Sequence, residues 1–302
     1  YMNVKSLQLE NWIQAFGQLG KLDFRKKSIV LLDEISWMGG KDPDFAGKLK
    51  EEWDRHLASN SNLILILCGS VSSWIEKNIL KSTGFVGRVS LELKIKELSF
   101  SESYELLGQR QKNISLNEFA QILSFTGGVP RYLEEINPKE TAENNLKRLC
   151  FQSSGFLFSE FDKIFSEVFG KRGLIYQKIL EVLEKGPQTP AEVASAVKLP
   201  LNGDFIDYIS DLELGGFIYR DFTWSFSGKE SRLSQLRISD NYVRFYLKYI
   251  FPRKSRIEKR SIKLSETLSF LQWSTVFGFQ FENMILNNTD KLIDLLQIPN
   301  AE

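Results

Sequence analysis

Apolar positions change their spacing several times along this chain, and each change marks an element. Residues 6–20 place Leu7, Leu9, Trp12, Ile13, Phe16 and Leu19 at roughly helical intervals. Residues 28–34 begin with a continuous apolar run, Ile29 to Leu32, too short for an independent helix and rich in strand formers, which predicts a buried parallel strand. A helix is predicted over 43–58, with Phe45, Leu49, Trp53 and Leu57 on one face. A second buried strand follows at 63–69 (LILILCG), a helix at 72–80, and an alternating strand at 89–95 (VSLELKI). Helix and strand in alternation predict a doubly wound α/β sheet.

After residue 98 the strand pattern stops. Short helices are predicted over 101–111, 116–125, 130–136, 140–151 and 157–169, broken at 125–130 by Gly127, Gly128 and Pro130. From 172 the pattern changes again: a helix closed by Gly186, a short helix with Thr189 as N-cap and Pro190 at its first position, and a third helix stopped by Gly215 and Gly216. Two strand-like segments follow, FIYRDFTWSF and RLSQLRIS. Three helices and a hairpin predict a winged helix-turn-helix. The expected divisions are 1–98 (partial α/β core), 99–170 (helical lid or connector), 171–240 (winged helix) and 241–302 (a basic aromatic connector and the start of a further domain).

Composition adds exclusions. The chain has 302 residues, 42% apolar and 25% charged, as in soluble globular proteins. Its net charge of +1 creates no global field toward nucleic acid or membrane, though a local patch can act alone. No apolar run approaches the ~20 residues of a membrane span, and no signal peptide is visible. Cys68 and Cys150 suit a reducing cytoplasm. His56, the sole histidine, lies beside Arg55 on a charged helix and reads as a surface residue; a zinc site is not expected. Tyr1 in place of Met, and an interrupted amphipathic pattern at 292–298, give the expectation of a chain cut at both ends.

The candidate chemistry starts at Asp33 and Glu34. At the end of a buried strand they emerge at the carboxyl edge of the sheet, where open α/β sheets bind ligands. Asp33 could hold magnesium through water and Glu34 could polarise an attacking water; the alternative is two solvated carboxylates opening a loop. Ser70, after the second strand, could sense a phosphate or simply cap the next helix, as could Ser72. Arg88 could stabilise charge on a transferring phosphoryl group, or make a surface ion pair. Gly128 and Pro130 could press a rigid turn on an adenine base, or serve structure alone. A phosphate cradle of the form GxxxxGK[ST] occurs nowhere in the chain.

In order, the segments LLDEISWM, LILILCGSVSSWIEKNIL, STGFVGRVSLELKIKELSFSE, TGGVPRYL and LRISDNYVRFYLKYIFP resemble the AAA+/STAND ATPases found in archaea and bacteria, across nearly the whole chain. The resemblance implies a P-loop-NTPase-like α/β core, partial here, a helical lid, a winged helix and a nuclease-like C-terminal domain. It makes Asp33 and Glu34 the Walker B pair, Asp33 a magnesium ligand through water, Ser70 a polar sensor, Arg88 a finger-like arginine, and Gly128 and Pro130 part of the lid turn. ATP and Mg2+ are the implied ligands. The family's Walker A lysine and serine or threonine have no counterpart, so this chain alone is expected to bind ATP weakly or not at all.

Helix 203–214 carries Asp204, Asp207, Asp211 and Glu213 and no cation, so it is expected to pack rather than read DNA. The wing's basic residues are Lys229, Arg232 and Arg237. Residues 244–263 hold Arg253, Lys254, Arg256, Lys259 and Arg260 among Phe245, Tyr246, Tyr249 and Phe251. This is either a nucleic-acid surface with stacking aromatics or a core helix with a solvated basic connector. The helix at 277–288, with Glu282, resembles the start of the nuclease-like domain. The expected function is a fragment of an ATPase that couples hydrolysis to a winged helix, with DNA and self-association as candidate partners. The alternative is a non-enzymatic module that binds DNA or protein on a degenerate ATPase scaffold.

Overall fold

The apolar run at 28–34 forms strand β1 (Ser28–Leu32), paired in parallel with β2 (Leu63–Leu67), Ile29 opposite Ile64 and Leu31 opposite Ile66. This computed structural model describes residues 10–21, 25–69, 73–108, 114–169, 172–223, 233–261 and 273–298. They fall into two units, Tyr1–Lys94 and Ile95–Glu302.

In the first unit, helix α1 (Trp12–Gly20) is capped by Asn11, whose side chain accepts from the Gln14 amide. Helix α2 (Ile35–Gly39) follows β1 after a two-residue turn, and α3 (Phe45–Glu52) runs on into a π-helical turn at Trp53–Leu57. Phe16, Ile35, Phe45 and Leu49 form the buried centre, with Trp12, Leu32, Leu65, Leu67 and Trp74 against them. Phe45 meets Trp12 edge-on at 5.0 Å. Helix α4 (Ser73–Ile75) opens into a second π-helical turn, Glu76–Leu80.

Two expectations are corrected here. The strands are not buried on both faces: Ile29 and Leu31 are 67% and 54% exposed, and Ile64 and Ile66 share their face. Among the described residues, helices cover only the opposite face. Nor do residues 89–95 form a third strand. Apolar and polar residues alternate there in sequence, but every residue of 89–95 is exposed; a strand needs a neighbour for its amides and carbonyls, and none is present among the described residues.

The second unit begins with α5 (Phe100–Gly108), α6 (Leu116–Thr126), α7 (Pro130–Glu134), α8 (Ala142–Cys150) and α9 (Phe156–Phe169). Helices α10 (Gly173–Leu183), α11 (Pro190–Ala196) and α12 (Gly203–Leu214) follow, then the antiparallel pair β3 (Ile218–Phe222) and β4 (Ser234–Ile238). Thr189 and Glu192 close a capping box on α11. A single bridge from Gln188 to Leu236 ties the α10–α11 connection to β4.

Helix α13 (Asn241–Phe245), its π-helical extension Tyr246–Ile250 and α14 (Lys254–Glu258) lead to α15 (Trp273–Leu286) and α16 (Thr289–Leu296). The core of this unit is aromatic: Phe161 stacks on Phe165 at 4.4 Å and on Tyr246 at 4.3 Å, and Tyr132 meets Tyr242 at 5.0 Å. The expected divisions at 170 and 240 both fall inside this unit.

Candidate functional site

The sheet's carboxyl edge brings Asp33, Glu34, Cys68 and Gly69 together. The ladder continues one step past the strands: the Cys68 amide donates to the Leu32 carbonyl at 2.9 Å, and the Ile35 amide to the Cys68 carbonyl at 2.9 Å. Fully buried Ile35 then anchors the start of α2 in the core. Between these two pins the chain must turn sharply, and it does so at Glu34, held left-handed at φ 51° and ψ 45°. For a residue with a Cβ this conformation costs ~1–2 kcal/mol, and such positions cluster at functional sites. The Glu34 amide donates to Asp33 Oδ1 at 3.0 Å, which fixes the Asp33 carboxylate at the exposed edge.

Cys68 was not singled out from the sequence. Partial desolvation, a hydrogen bond with Asp33 and the charges of Asp33 and Glu34 raise its thiol above the ordinary range. It therefore stays protonated beside the carboxylates, as a donor rather than a nucleophile. Its signal was one of register: a residue directly after the second strand lies opposite the first strand's carboxylate. Ser70 lies outside the described residues.

This edge suits magnesium. Mg2+ takes one or two carboxylates and completes its shell with water and substrate phosphates. Asp33 offers an exposed carboxylate, and the described residues hold no group of three or more His, Cys, Asp or Glu that could cage a metal. A phosphate cradle is a different matter, since the sequence contains no GxxxxGK[ST].

Arg88 is engaged elsewhere. Its guanidinium grips Asp54 in a fork, Nε to Oδ1 at 2.7 Å and Nη2 to Oδ2 at 2.9 Å. Its hydrogen bond with Asp54 raises the guanidinium further, and bonds from Arg88 and then Lys50 hold Asp54 down to about 2. The surface ion pair that its residue type also allowed is the contact formed.

Gly128 and Pro130 belong to the second unit. Pro130 opens α7. Gly127 sits at φ 61°, and a Cβ on Gly128 would lie 2.0 Å from the Leu98 carbonyl oxygen. The Gly128 amide donates to Glu97 Oε2 at 3.0 Å, and its carbonyl accepts from the Leu98 amide at 2.8 Å. The turn thus packs against residues 97–98 of its own unit.

The basic segment is a core helix with a partly tethered connector. Phe245, Tyr246 and Tyr249 are buried and cannot stack on bases. Arg253 donates to the Tyr249 carbonyl and Lys254 pairs with Asp162, while Arg256, Lys259 and Arg260 remain exposed. Arg237 is corrected from wing surface to interior: it is 5% exposed and bonds Asp221 Oδ2 at 2.8 Å and Asn283 Oδ1 at 2.9 Å. Burying its charge is tolerable because these partners satisfy it. Lys229 and Arg232 lie outside the described residues. In α12, Asp211 accepts from the Tyr176 hydroxyl at 2.6 Å and Glu213 pairs with Arg220 at 2.7 Å, while Asp204 and Asp207 face outward. Two of the four acidic residues of this helix, Asp211 and Glu213, thus have partners within the fold, and the other two lie on its exposed side. His56 is half exposed, with Glu52 at 3.8 Å. Among the described residues no helix is long and apolar enough to cross a membrane.

No family model matches the chain. Among curated proteins it is similar to an uncharacterized protein of Methanocaldococcus jannaschii, 28% identical over 291 residues, covering 94% of this chain and 62% of that protein. Among solved structures it is similar to a Walker-type ATPase of Pyrococcus abyssi, with a TM-score of 0.50 at 16% identity, over 78% of this chain and 65% of that one. The chain spans under two thirds of the length of each. The likeness supports an ATPase-like α/β fold, within a chain that is mostly helical.

Proposed function

We propose that this chain is part of an ATPase of the AAA+/STAND kind and carries the hydrolytic half of its site. The observation that carries this reading is the Asp33–Glu34 pair, held at the carboxyl edge of a parallel strand by a strained turn, in a fold like that of a Walker-type ATPase. Asp33 would hold magnesium through water, and Glu34 would orient and deprotonate the water that attacks the terminal phosphate. The phosphates would be held by residues other than those of this chain. The bare faces of Ile29, Leu31, Ile64 and Ile66, and the alternating sequence at 89–95 that pairs with no strand among the described residues, support a sheet completed by further strands. Magnesium-dependent ATP turnover by a longer polypeptide that contains these residues and a phosphate cradle tests the reading; an inert one with ATP bound would leave a degenerate scaffold.

In the same proposal, α10, α11, α12, β3 and β4, with the Gln188–Leu236 bridge, form a winged helix that moves with nucleotide state. DNA, if it is the partner, would meet the exposed cations Arg256, Lys259 and Arg260 through phosphates rather than through α12. Each phosphate neutralised adds about 0.9 to the salt slope of log affinity. Neutralising all three is expected to flatten that slope by up to about 3 units on any duplex, measured by fluorescence anisotropy across a salt series. Sequence-selective binding that survives this change and is lost on mutating Asp204 and Ile206 would make α12 the reader instead.

A further inference from the structure

Helix α15 turns one face to the interior of the second unit: Val276, Gln280, Asn283 and Met284, at helical spacing, are all buried. Gln280 and Asn283 are amides, and a buried amide must find partners. Gln280 Nε2 donates to the Ser124 carbonyl of α6 at 2.8 Å and to the Asn241 carbonyl of α13 at 2.7 Å. One turn on, Asn283 Nδ2 donates to the Ile238 carbonyl of β4 at 3.2 Å and to Asn241 Oδ1 at 3.0 Å, while Asn283 Oδ1 accepts from Arg237 Nη1 at 2.9 Å. Arg237 Nε reaches on to Asp221 Oδ2 of β3 at 2.8 Å, and Asn241 Nδ2 to the Leu123 carbonyl of α6 at 3.4 Å. Past the end of α15, Asn288 Oδ1 accepts from the Phe100 amide at the start of α5 at 3.0 Å, and Lys291 of α16 donates to Ser99 Oγ at 3.0 Å.

We propose that α15 and α16 form a clamp that fixes α5 and α6 to the β3–β4 hairpin, so that these elements shift as one body and not against each other. A wholly apolar face would hold the same elements together but let them slide, because dispersion has little direction. Directed amides do not allow this. Displacing β4 along α6 by one residue would take Gln280 from Ser124 or Asn283 from Ile238, and would leave buried carbonyls without a donor. Setting register is the best-attested use of buried polar contacts. Asn241 is the shared node, since its carbonyl serves Gln280 and its side chain serves Asn283. Arg237 adds a second constraint: its interior charge is satisfied by Asn283 and Asp221 only while both stay in place. The bearing on mechanism rests on the function proposed above: a winged helix that responds to nucleotide would carry α5, α6 and α15 with it.

The experiment uses residues 1–302 with nitroxide labels at Asn117→Cys of α6 and Ser195→Cys of α11, both exposed sites; α11 is tied to β4 by the Gln188–Leu236 bridge. Cys68→Ser removes the exposed thiol, and Cys150 is fully buried. Pulsed electron resonance is expected to give one narrow distance distribution. Gln280→Met with Asn283→Leu keeps the volume and loses the bonds, and should broaden or split that distribution. Ile285→Ala, on the outer side of α15, should leave it narrow. Amide exchange supplies a second readout: α6 and β4 are expected to open together with one urea dependence, and the double variant to speed both by roughly tenfold. Broad or two-peaked distances in the labelled native chain, or separate openings of α6 and β4, overturn the clamp. So does a folded double variant with native distances and native exchange. Should the double variant fail to fold, distances and exchange without it decide. Neither measurement uses nucleotide, so an absence of ATP turnover leaves the clamp standing, and a failed clamp leaves the hydrolytic reading standing.

Discussion

Glu34→Gln, in a longer polypeptide able to hold ATP, is expected to bind Mg-ATP as the native protein does and to lose turnover by roughly 10²–10⁴-fold. Glutamine keeps the size of the side chain and can still hydrogen-bond a water, but it cannot take that water's proton. The backbone should be indifferent to the change. Glu34 holds its left-handed conformation between two backbone pins, the Cys68 amide on the Leu32 carbonyl and the Ile35 amide on the Cys68 carbonyl, which the change leaves in place. Asp33→Asn should differ in kind by weakening magnesium-dependent binding itself, since Asp33 is the exposed oxygen donor at the edge. Nucleotide binding and single-turnover hydrolysis, measured side by side, separate the two effects. Hydrolysis at the native rate by Glu34→Gln would remove Glu34 from the role of base.

The largest stability effect is expected at Phe161. Its ring is 1% exposed and lies between Phe165 and Tyr246, parallel to the latter within 2°. Truncation to alanine removes the packing of three rings at once and leaves a cavity lined by aromatic faces, which relax poorly. Phe161→Ala should cost ~3–5 kcal/mol. In a unit of this size that is a fall in melting temperature on the order of 10 °C. Phe222→Ala is the control, because that ring is 65% exposed, and it should move stability by about 0.5 kcal/mol or less. Denaturant unfolding of both proteins gives the comparison. A Phe161→Ala protein as stable as the Phe222→Ala protein would mean that the aromatic stack does not hold this unit together.

How much was legible in the sequence depended on whether the signal was local. Strands β1 and β2 were visible because a short apolar run bounded by polar residues has few alternatives, and Thr189-Pro190 announced the start of α11 through its own capping chemistry. The failure at 89–95 was of another sort. Alternation says that a segment could be a strand; whether it pairs depends on a neighbour elsewhere in the chain. Arg237 was misjudged for a related reason. On a hairpin it reads as solvent-facing, and only α15, far along the chain, supplies the Asn283 that accepts its charge in the interior. That helix did carry a clue: Gln280 and Asn283 interrupt an apolar run three residues apart, and both prove buried, Gln280 donating to the Ser124 and Asn241 carbonyls and Asn283 to the Ile238 carbonyl and Asn241 Oδ1. The aromatic residues of 245–249 were legible as a core, but the same composition equally suits a stacking surface, and burial alone separates the two.

Of the site, the sequence carried the carboxylates but not their setting. Adjacent Asp and Glu after an apolar run are visible in one dimension; the left-handed turn at Glu34 and the thiol of Cys68 beside Asp33 exist only once two strands pair. Glu97 was hidden just past the predicted strand 89–95, because the Gly128 amide that it accepts from comes 31 positions further on.

The division of the site into two halves is tested most directly by titrating Mg-ATP into residues 1–302 in a calorimeter. Asp33 and Glu34 without a lysine-bearing cradle predict no saturable heat at micromolar concentrations, because a magnesium ligand and a base cannot by themselves hold a triphosphate. Submicromolar binding by these residues alone would contradict this, and would mean that the chain contains a phosphate cradle of another form.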